Sequence, residues 1–110
     1  MTWINLTPHD VNYIHDDGRV ETFPSRGVAR AKSTTELVGE IDGLRITKSV
    51  FGAPVDLPDY SEGTNLIVSL VTVSAAKQYG RRTDDLYVTN EAVRDDAGHI
   101  IGCRSFGQVE

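Results

Sequence analysis

Thr7-Pro8-His9-Asp10 is the densest chemistry in the chain. A hydroxyl, an imidazole and a carboxylate fall within four residues, with Pro8 restricting the backbone between them. Histidine titrates near neutral pH, so His9 is a candidate acid or base, and the three groups together suit a phosphate or a carbonyl. A competing reading is structural: Thr7 and Asp10 hydrogen-bond their own turn and leave His9 half exposed.

The second constellation is Arg81-Arg82-Thr83-Asp84-Asp85. Guanidinium forks suit bidentate recognition of phosphate or carboxylate, and Arg94 or Arg104 from the last third of the chain could complete an anion pocket. Tyr60 and Tyr79 could stack on a base or grip a partner. The alternative is local pairing of Arg81 and Arg82 with Asp84 and Asp85, which contributes little when exposed. His15-Asp16-Asp17, with His9 and Asp10, holds enough ligands for a metal on paper, yet lacks the His-x-x-x-His spacing that sets two ligands on one helix face. Neither a metal site nor a cofactor is expected.

Cys103 with His9 or His99 would form a thiolate–imidazole pair. However, it sits in Ile100-Ile101-Gly102-Cys103, where a lone cysteine serves as a small buried hydrophobe. His99, four residues earlier, would share a strand face but lie too far away for contact. Walker loops, dinucleotide fingerprints, nucleophile elbows and zinc patterns are lacking, which weighs against a familiar enzyme. The candidate ligand-binding set is therefore Thr7, His9, Asp10, Tyr60, Arg81, Arg82 and Arg94, with no catalytic residue assigned.

These residues must be positioned mainly by strands. Val11–Ile14 and Arg19–Phe23 flank His15-Asp16-Asp17-Gly18, and Asp-Gly supplies the positive φ of a hairpin turn. Val28–Ala31 reads as a short strand. Ser33-Thr34-Thr35-Glu36 resembles a capping box, but the glycines that follow favour two strands, Glu36–Ile41 and Leu44–Val50, joined at Asp42-Gly43. Phe51 to Gly63 reads as an irregular loop. Asn65–Ser69 is a buried strand by its β-branched content, and Leu70–Tyr79 reads as strand passing into a short helix that Gly80 ends. A last hairpin, Leu86–Arg94 and His99–Cys103, turns at Asp95-Asp96-Ala97-Gly98. The expected fold is mostly β within the α+β class: a small barrel or sandwich of short antiparallel strands with one short helix near 70–79.

Composition sets the outer bounds. At 110 residues, 39% hydrophobic and 25% charged, the chain has the make-up of a single folded domain, 1–110. A net charge of −5 with scattered basic residues argues against an extended nucleic-acid groove. The start of the chain lacks a secretory pattern, and the longest apolar-leaning stretch, Leu66–Ala76, is far short of the about 20 residues that span a bilayer. One cysteine cannot form an internal disulfide. A cytoplasmic protein without membrane contact is the expectation, and unpaired strand edges leave homo-oligomerisation open.

The string Asn5-Leu6-Thr7-Pro8-His9 resembles the opening of uncharacterised small phage and prophage proteins. The similarity runs through Val38-Gly39-Glu40-Ile41-Asp42-Gly43, Phe51-Gly52, Leu57-Pro58, Gly63-Thr64, Ile67-Val68-Ser69, Val93-Arg94-Asp95 and Gly98-His99-Ile100-Ile101-Gly102-Cys103. It implies a setting, the cytoplasm of a bacterial host, and carries no catalytic residue with it. Proteins of that setting often bind a host protein or a host signalling molecule, so the leading expectation is an accessory protein that binds a host protein or a small anionic, nucleotide-like ligand. The alternatives are a small hydrolase or nucleotide-modifying enzyme using His9 and an Arg cluster, and a virion or assembly component that packs with its own copies.

Overall fold

The computed structural model describes residues 1–110 and is mostly β with one short helix, as the sequence predicts. Six short or medium strands form one sheet: β1 (Thr2–Asn5), β2 (Val11–Ile14), β3 (Val20–Phe23), β6 (Thr64–Ile67), β7 (Leu86–Arg94) and β8 (Ile100–Gly107). A separate ribbon pairs β4 (Arg30–Ile41) with β5 (Leu44–Val55), and α1 spans Leu70–Gln78.

The sheet order is β1-β6-β7-β8-β2-β3. Antiparallel ladders carry most of the pairing, while β1/β6, β6/β7 and β2/β8 run parallel. The sheet curls until its ends meet, for Asn5 bridges Ser25 and the Arg26 N–H donates to the Asn5 carbonyl at 2.8 Å. The result is a small barrel. This closure explains how a connection as short as Leu6–Asp10 joins β1 to β2, which are nominally four positions apart in the sheet.

Alternation along each strand builds two cores. Inside the barrel, Val11, Ile67 and Cys103 pack with an aromatic group of Trp3, Tyr13, Phe23 and Phe106. Trp3 lies 5.1 Å from Phe106 and 5.0 Å from Tyr87, ring centre to ring centre. Such spacings add to the stabilisation from buried area. Outside the barrel, Leu6, Leu66, Val68 and Leu86 meet Val73 and Ala76 of α1. Trp3 and Ile4, or Leu66 and Ile67, thus serve opposite cores from adjacent positions.

Four expectations need correction. Helix replaces strand from Leu70 onward, because Ser69 caps α1 by accepting the Thr72 N–H, and Thr72 and Val73 are buried against the barrel. That burial outweighs the few tenths of a kcal/mol by which β-branched residues disfavour helix. The short strand at Val28–Ala31 and the strand at Glu36–Ile41 are one element, β4, with Ser33–Glu36 inside it. The strand expected over Leu44–Val50 continues through Val55, so the irregular loop begins only at Asp56. The last strand likewise runs to Gly107 rather than Cys103. The three turns Asp17-Gly18, Asp42-Gly43 and Ala97-Gly98 form as expected, with Asp42 (φ 54°) and Gly43 (φ 79°) both left-handed, as a two-residue hairpin turn of this hand requires.

Where β8 passes β2 the backbones come unusually close. A Cβ built on Gly102 would lie 2.8 Å from the Asn12 carbonyl oxygen, so only glycine fits without a backbone shift.

Candidate functional site

Asn5 organises the Thr7–Asp10 segment. Its amide donates to the carbonyls of His9 (2.8 Å) and Phe23 (2.9 Å), and its Oδ1 accepts from the Thr7 N–H (2.9 Å) and the Thr7 hydroxyl (2.7 Å). Asp10 accepts the Ser25 N–H at 3.0 Å, and the Ser25 hydroxyl donates to the Thr7 carbonyl at 2.6 Å. The Thr7 hydroxyl and the Asp10 carboxylate therefore tie their own loop to β1 and to the chain after β3. His9 is exposed, and its imidazole is the part of this segment least committed to holding the loop.

His9 and Asp10 border a groove of about 550 Å³ across β2, β7 and β8. Its floor is apolar, with Val11, Ala92, Ile100, Ile101 and Cys103, and its rim carries Asn12, Asn90 and Glu91. A second hollow, bordered by Thr7, Ser69 and Leu70, adjoins the first, with Val11, Thr89 and Asn90 lining both. Glu91 holds φ 50° in mid-strand, a conformation uncommon outside glycine.

Tyr60, Arg81 and Arg82 converge elsewhere. The Arg81 guanidinium forks onto both oxygens of Asp85 (2.9 and 3.0 Å) and also donates to the Pro58 carbonyl at 2.6 Å. Arg82 stacks on the Tyr60 ring at 3.6 Å and donates from Nε to Asp84 at 2.7 Å. That hydrogen bond, and after it a backbone hydrogen bond and the charge of Arg82, holds the Asp84 carboxyl below its ordinary range. Both arginines are thus matched by a carboxylate within the loop.

Arg94 donates to the Gly98 carbonyl of its own hairpin at 2.7 Å. It stands at the opposite end of the nine-residue β7 from Asp85, roughly 30 Å away along the strand at about 3.3 Å per residue. The seven candidate residues therefore fall into three places: Thr7, His9 and Asp10 at the groove; Tyr60, Arg81 and Arg82 at the end of α1; Arg94 at the hairpin. His15, the other metal-ligand candidate, contacts Glu21 at 3.1 Å, and no three His, Cys, Asp or Glu side chains converge.

Cys103 lies buried in the groove floor, and desolvation pushes its thiol pKa up. With the folded-state pKa above the unfolded one, the contribution of thiol burial to stability is complete below the unfolded pKa. It is lost as pH rises through the folded pKa. Alkylation of the native protein by iodoacetamide at pH 8 is therefore expected to be at least ten-fold slower, in order of magnitude, than of the urea-unfolded chain, as followed by intact mass. Equal rates would contradict the burial.

Asn5 was not among the sequence candidates, although Asn-x-Thr ahead of a proline contains its signal: a side-chain amide two residues before a hydroxyl can close a local turn. Nothing in the sequence pointed to Glu91 or Asn90 as groove rim. Compared with protein-family models, curated proteins and solved structures, the chain finds no match.

Proposed function

We propose that this chain is a phage or prophage accessory or assembly protein that acts by binding another polypeptide through the β4–β5 arm. One observation carries the reading. All twenty residues from Lys32 to Phe51 are exposed, in a two-stranded ribbon that meets the rest of the molecule chiefly at its base, against α1. An isolated two-stranded ribbon is marginally stable in water, so an arm this long gains order from a surface laid against it.

Its side chains support the same view. Register places Ile41 opposite Leu44 and Gly39 opposite Ile46, on one face, with Val50 further along the same strand face. Leu44 is 68% exposed and Ile41 63%. The opposite face carries Glu40 across from Arg45 and Thr35 across from Ser49, but also Leu37 across from Thr47 and Phe51 across from Ser33, while Glu36 and Lys48 interrupt the first face. Exposed apolar side chains on both faces of a projecting ribbon, densest at Ile41, Leu44 and Ile46 near its tip, are the pattern of an interaction surface. A small anionic ligand is less well served: the groove rim bears Asp10 and Glu91, and the arginines that would neutralise an anion are occupied at the end of α1.

The test is site-specific photo-crosslinking in bacterial cells that produce the protein. A photoreactive residue at Lys48, on the face of Leu44, Ile46 and Val50, is expected to yield a discrete polypeptide adduct, while the same residue at Asp17, on the first hairpin tip, gives none. Absence of any protein adduct at Lys48, or equal labelling at both positions, would overturn the reading.

A further inference from the structure

We infer that Asp42-Gly43, the tip of the β4–β5 arm, is a site of self-modification: the Gly43 nitrogen closes on the Asp42 side chain to give a cyclic imide, which water reopens to isoaspartate.

The chain holds two Asp-Gly pairs, Asp17-Gly18 and Asp42-Gly43, each in the turn of a hairpin. Glycine offers the least hindered backbone nitrogen, because no Cβ stands beside it. In the reaction the glycine nitrogen bonds to the aspartate Cγ while the carboxyl C–OH bond breaks, and the hydroxyl leaves with the amide proton as water. Water then adds at either imide carbonyl. Addition at Cγ restores aspartate, and addition at the backbone carbonyl leaves a chain that runs through Cβ and Cγ. Neither step needs an oxidant, a reductant or any reactant other than water.

The two pairs differ in what holds their reacting groups. At Asp17-Gly18 both are committed: Oδ1 of Asp17 accepts the Arg19 N–H at 2.9 Å, and the Gly18 N–H donates to the His15 carbonyl at 2.9 Å. Groups held by other partners are kept from the near-attack arrangement that ring closure requires. At Asp42-Gly43 neither is committed. The ladder ends with Ile41 opposite Leu44, the Gly43 N–H has no acceptor, and the Asp42 carboxylate forms no hydrogen bond or ion pair.

Strain and exposure act in the same direction. Asp42 sits at φ 54°, in the left-handed region where a Cβ is crowded, so opening of the turn relieves it. In the first hairpin turn only Gly18 takes a positive φ. Asp42 also lies at the far end of two twelve-residue strands that are exposed from Lys32 to Phe51, and a two-stranded ribbon of this kind opens first at its tip. The first hairpin, by contrast, is laid against β8 through Tyr13 and Cys103.

The change matters to the arm because a two-residue turn sets the register of the strands it joins. Isoaspartate adds one methylene to the backbone of that turn, so the pairing of Ile41 with Leu44 is lost and the exposed apolar tip is rearranged. One carboxylate remains, so the charge is unchanged.

Incubation of the purified full-length protein in warm neutral buffer, followed by tryptic peptide mapping, tests this. Cleavage at the basic residues places Asp42 in peptide 33–45 and Asp17 in peptide 1–19. Isoaspartate, seen as a peptide of unchanged mass and shifted retention and identified by electron-transfer fragmentation, is expected to accumulate in 33–45 at least about five-fold faster than in 1–19. In the urea-unfolded chain the two rates are expected to converge to within about two-fold, because only the fold distinguishes the pairs. Asp42→Asn and Asp17→Asn give a second readout through the same attack, in which ammonia leaves in place of water and the reopened product gains one mass unit. The first variant is expected to convert while the second persists. Equal isoaspartate in the two native peptides, a faster rate at Asp17, or a difference that survives unfolding would each overturn the inference.

Discussion

Asn5→Asp is expected to destabilise the fold by about 3–5 kcal/mol, a large share of the ~5–15 kcal/mol that holds a typical domain together. The substitution is nearly isosteric, so packing does not explain the loss. Asn5 is only 1% exposed and its amide nitrogen faces two carbonyl oxygens, those of His9 and Phe23. A carboxylate would turn both hydrogen bonds into repulsions and bury an unpaired charge. The bonds from the Thr7 N–H and hydroxyl would survive, since a carboxylate also accepts. Protonation would restore one donor, so the deficit relative to wild type should shrink as pH falls. Urea denaturation at pH 7 and pH 4 measures both effects, and a difference from wild type below 1 kcal/mol at pH 7 would show that Asn5 is not the tie described here. Because Asn5 joins β1 to the loop before β2 and to the end of β3, its loss opens the barrel at its seam.

The second large effect is expected at the end of α1. Asp85 is 3% exposed and Arg81 14%, so theirs is the one ion pair in the molecule that is largely shielded from water. Arg81→Ala should cost about 3–5 kcal/mol, because it strands a buried carboxylate. It also releases the Pro58 carbonyl, which anchors the loop between β5 and β6. The double variant Arg81→Ala with Asp85→Ala should be more stable than Arg81→Ala alone, since it removes the uncompensated charge. Chemical denaturation of the single and double variants forms the cycle, and strictly additive losses would argue against coupling. By contrast, the exposed Arg82–Asp84 pair should be close to neutral on substitution.

The two effects recast the motifs that drew attention in the sequence. Thr7 spends its hydroxyl within its own turn, as the structural alternative for that segment has it, whereas Asp10 leaves that turn and accepts from Ser25 across the barrel seam. Arg81 and Arg82 spend their guanidinium groups on Asp85 and Asp84, as the pairing alternative holds. The Thr7 hydroxyl, Arg81 and Arg82 find partners within a few residues, which are the easiest to reach when the chain orders, whereas Asp10 reaches Ser25 fifteen residues on.

What the sequence determined by itself is the local chemistry of turns and strands. Asp42-Gly43 and Asp17-Gly18 define hairpins because left-handed backbone is available to glycine, and to aspartate with less strain than to most residues. The alternation of Trp3 with Ile4, and of Leu66 with Ile67, marks strands flanked by two apolar layers. What only the tertiary structure decided is everything that depends on distant segments meeting. Residues Leu70–Val73 become helix because Ser69 caps them and the barrel wall covers Thr72 and Val73. Val28–Val55 becomes a projecting arm instead of part of the barrel because Ala29 and Ala31 pack at its base while nothing in the chain covers what lies beyond. Arg94 stands away from Arg81 and Arg82 because the extended β7 runs between them, and His9 falls at the groove because the sheet order sets β2 beside β8, which no local signal specifies. That order follows from closing the barrel at Asn5 and Ser25, where residues twenty apart in sequence share one seam.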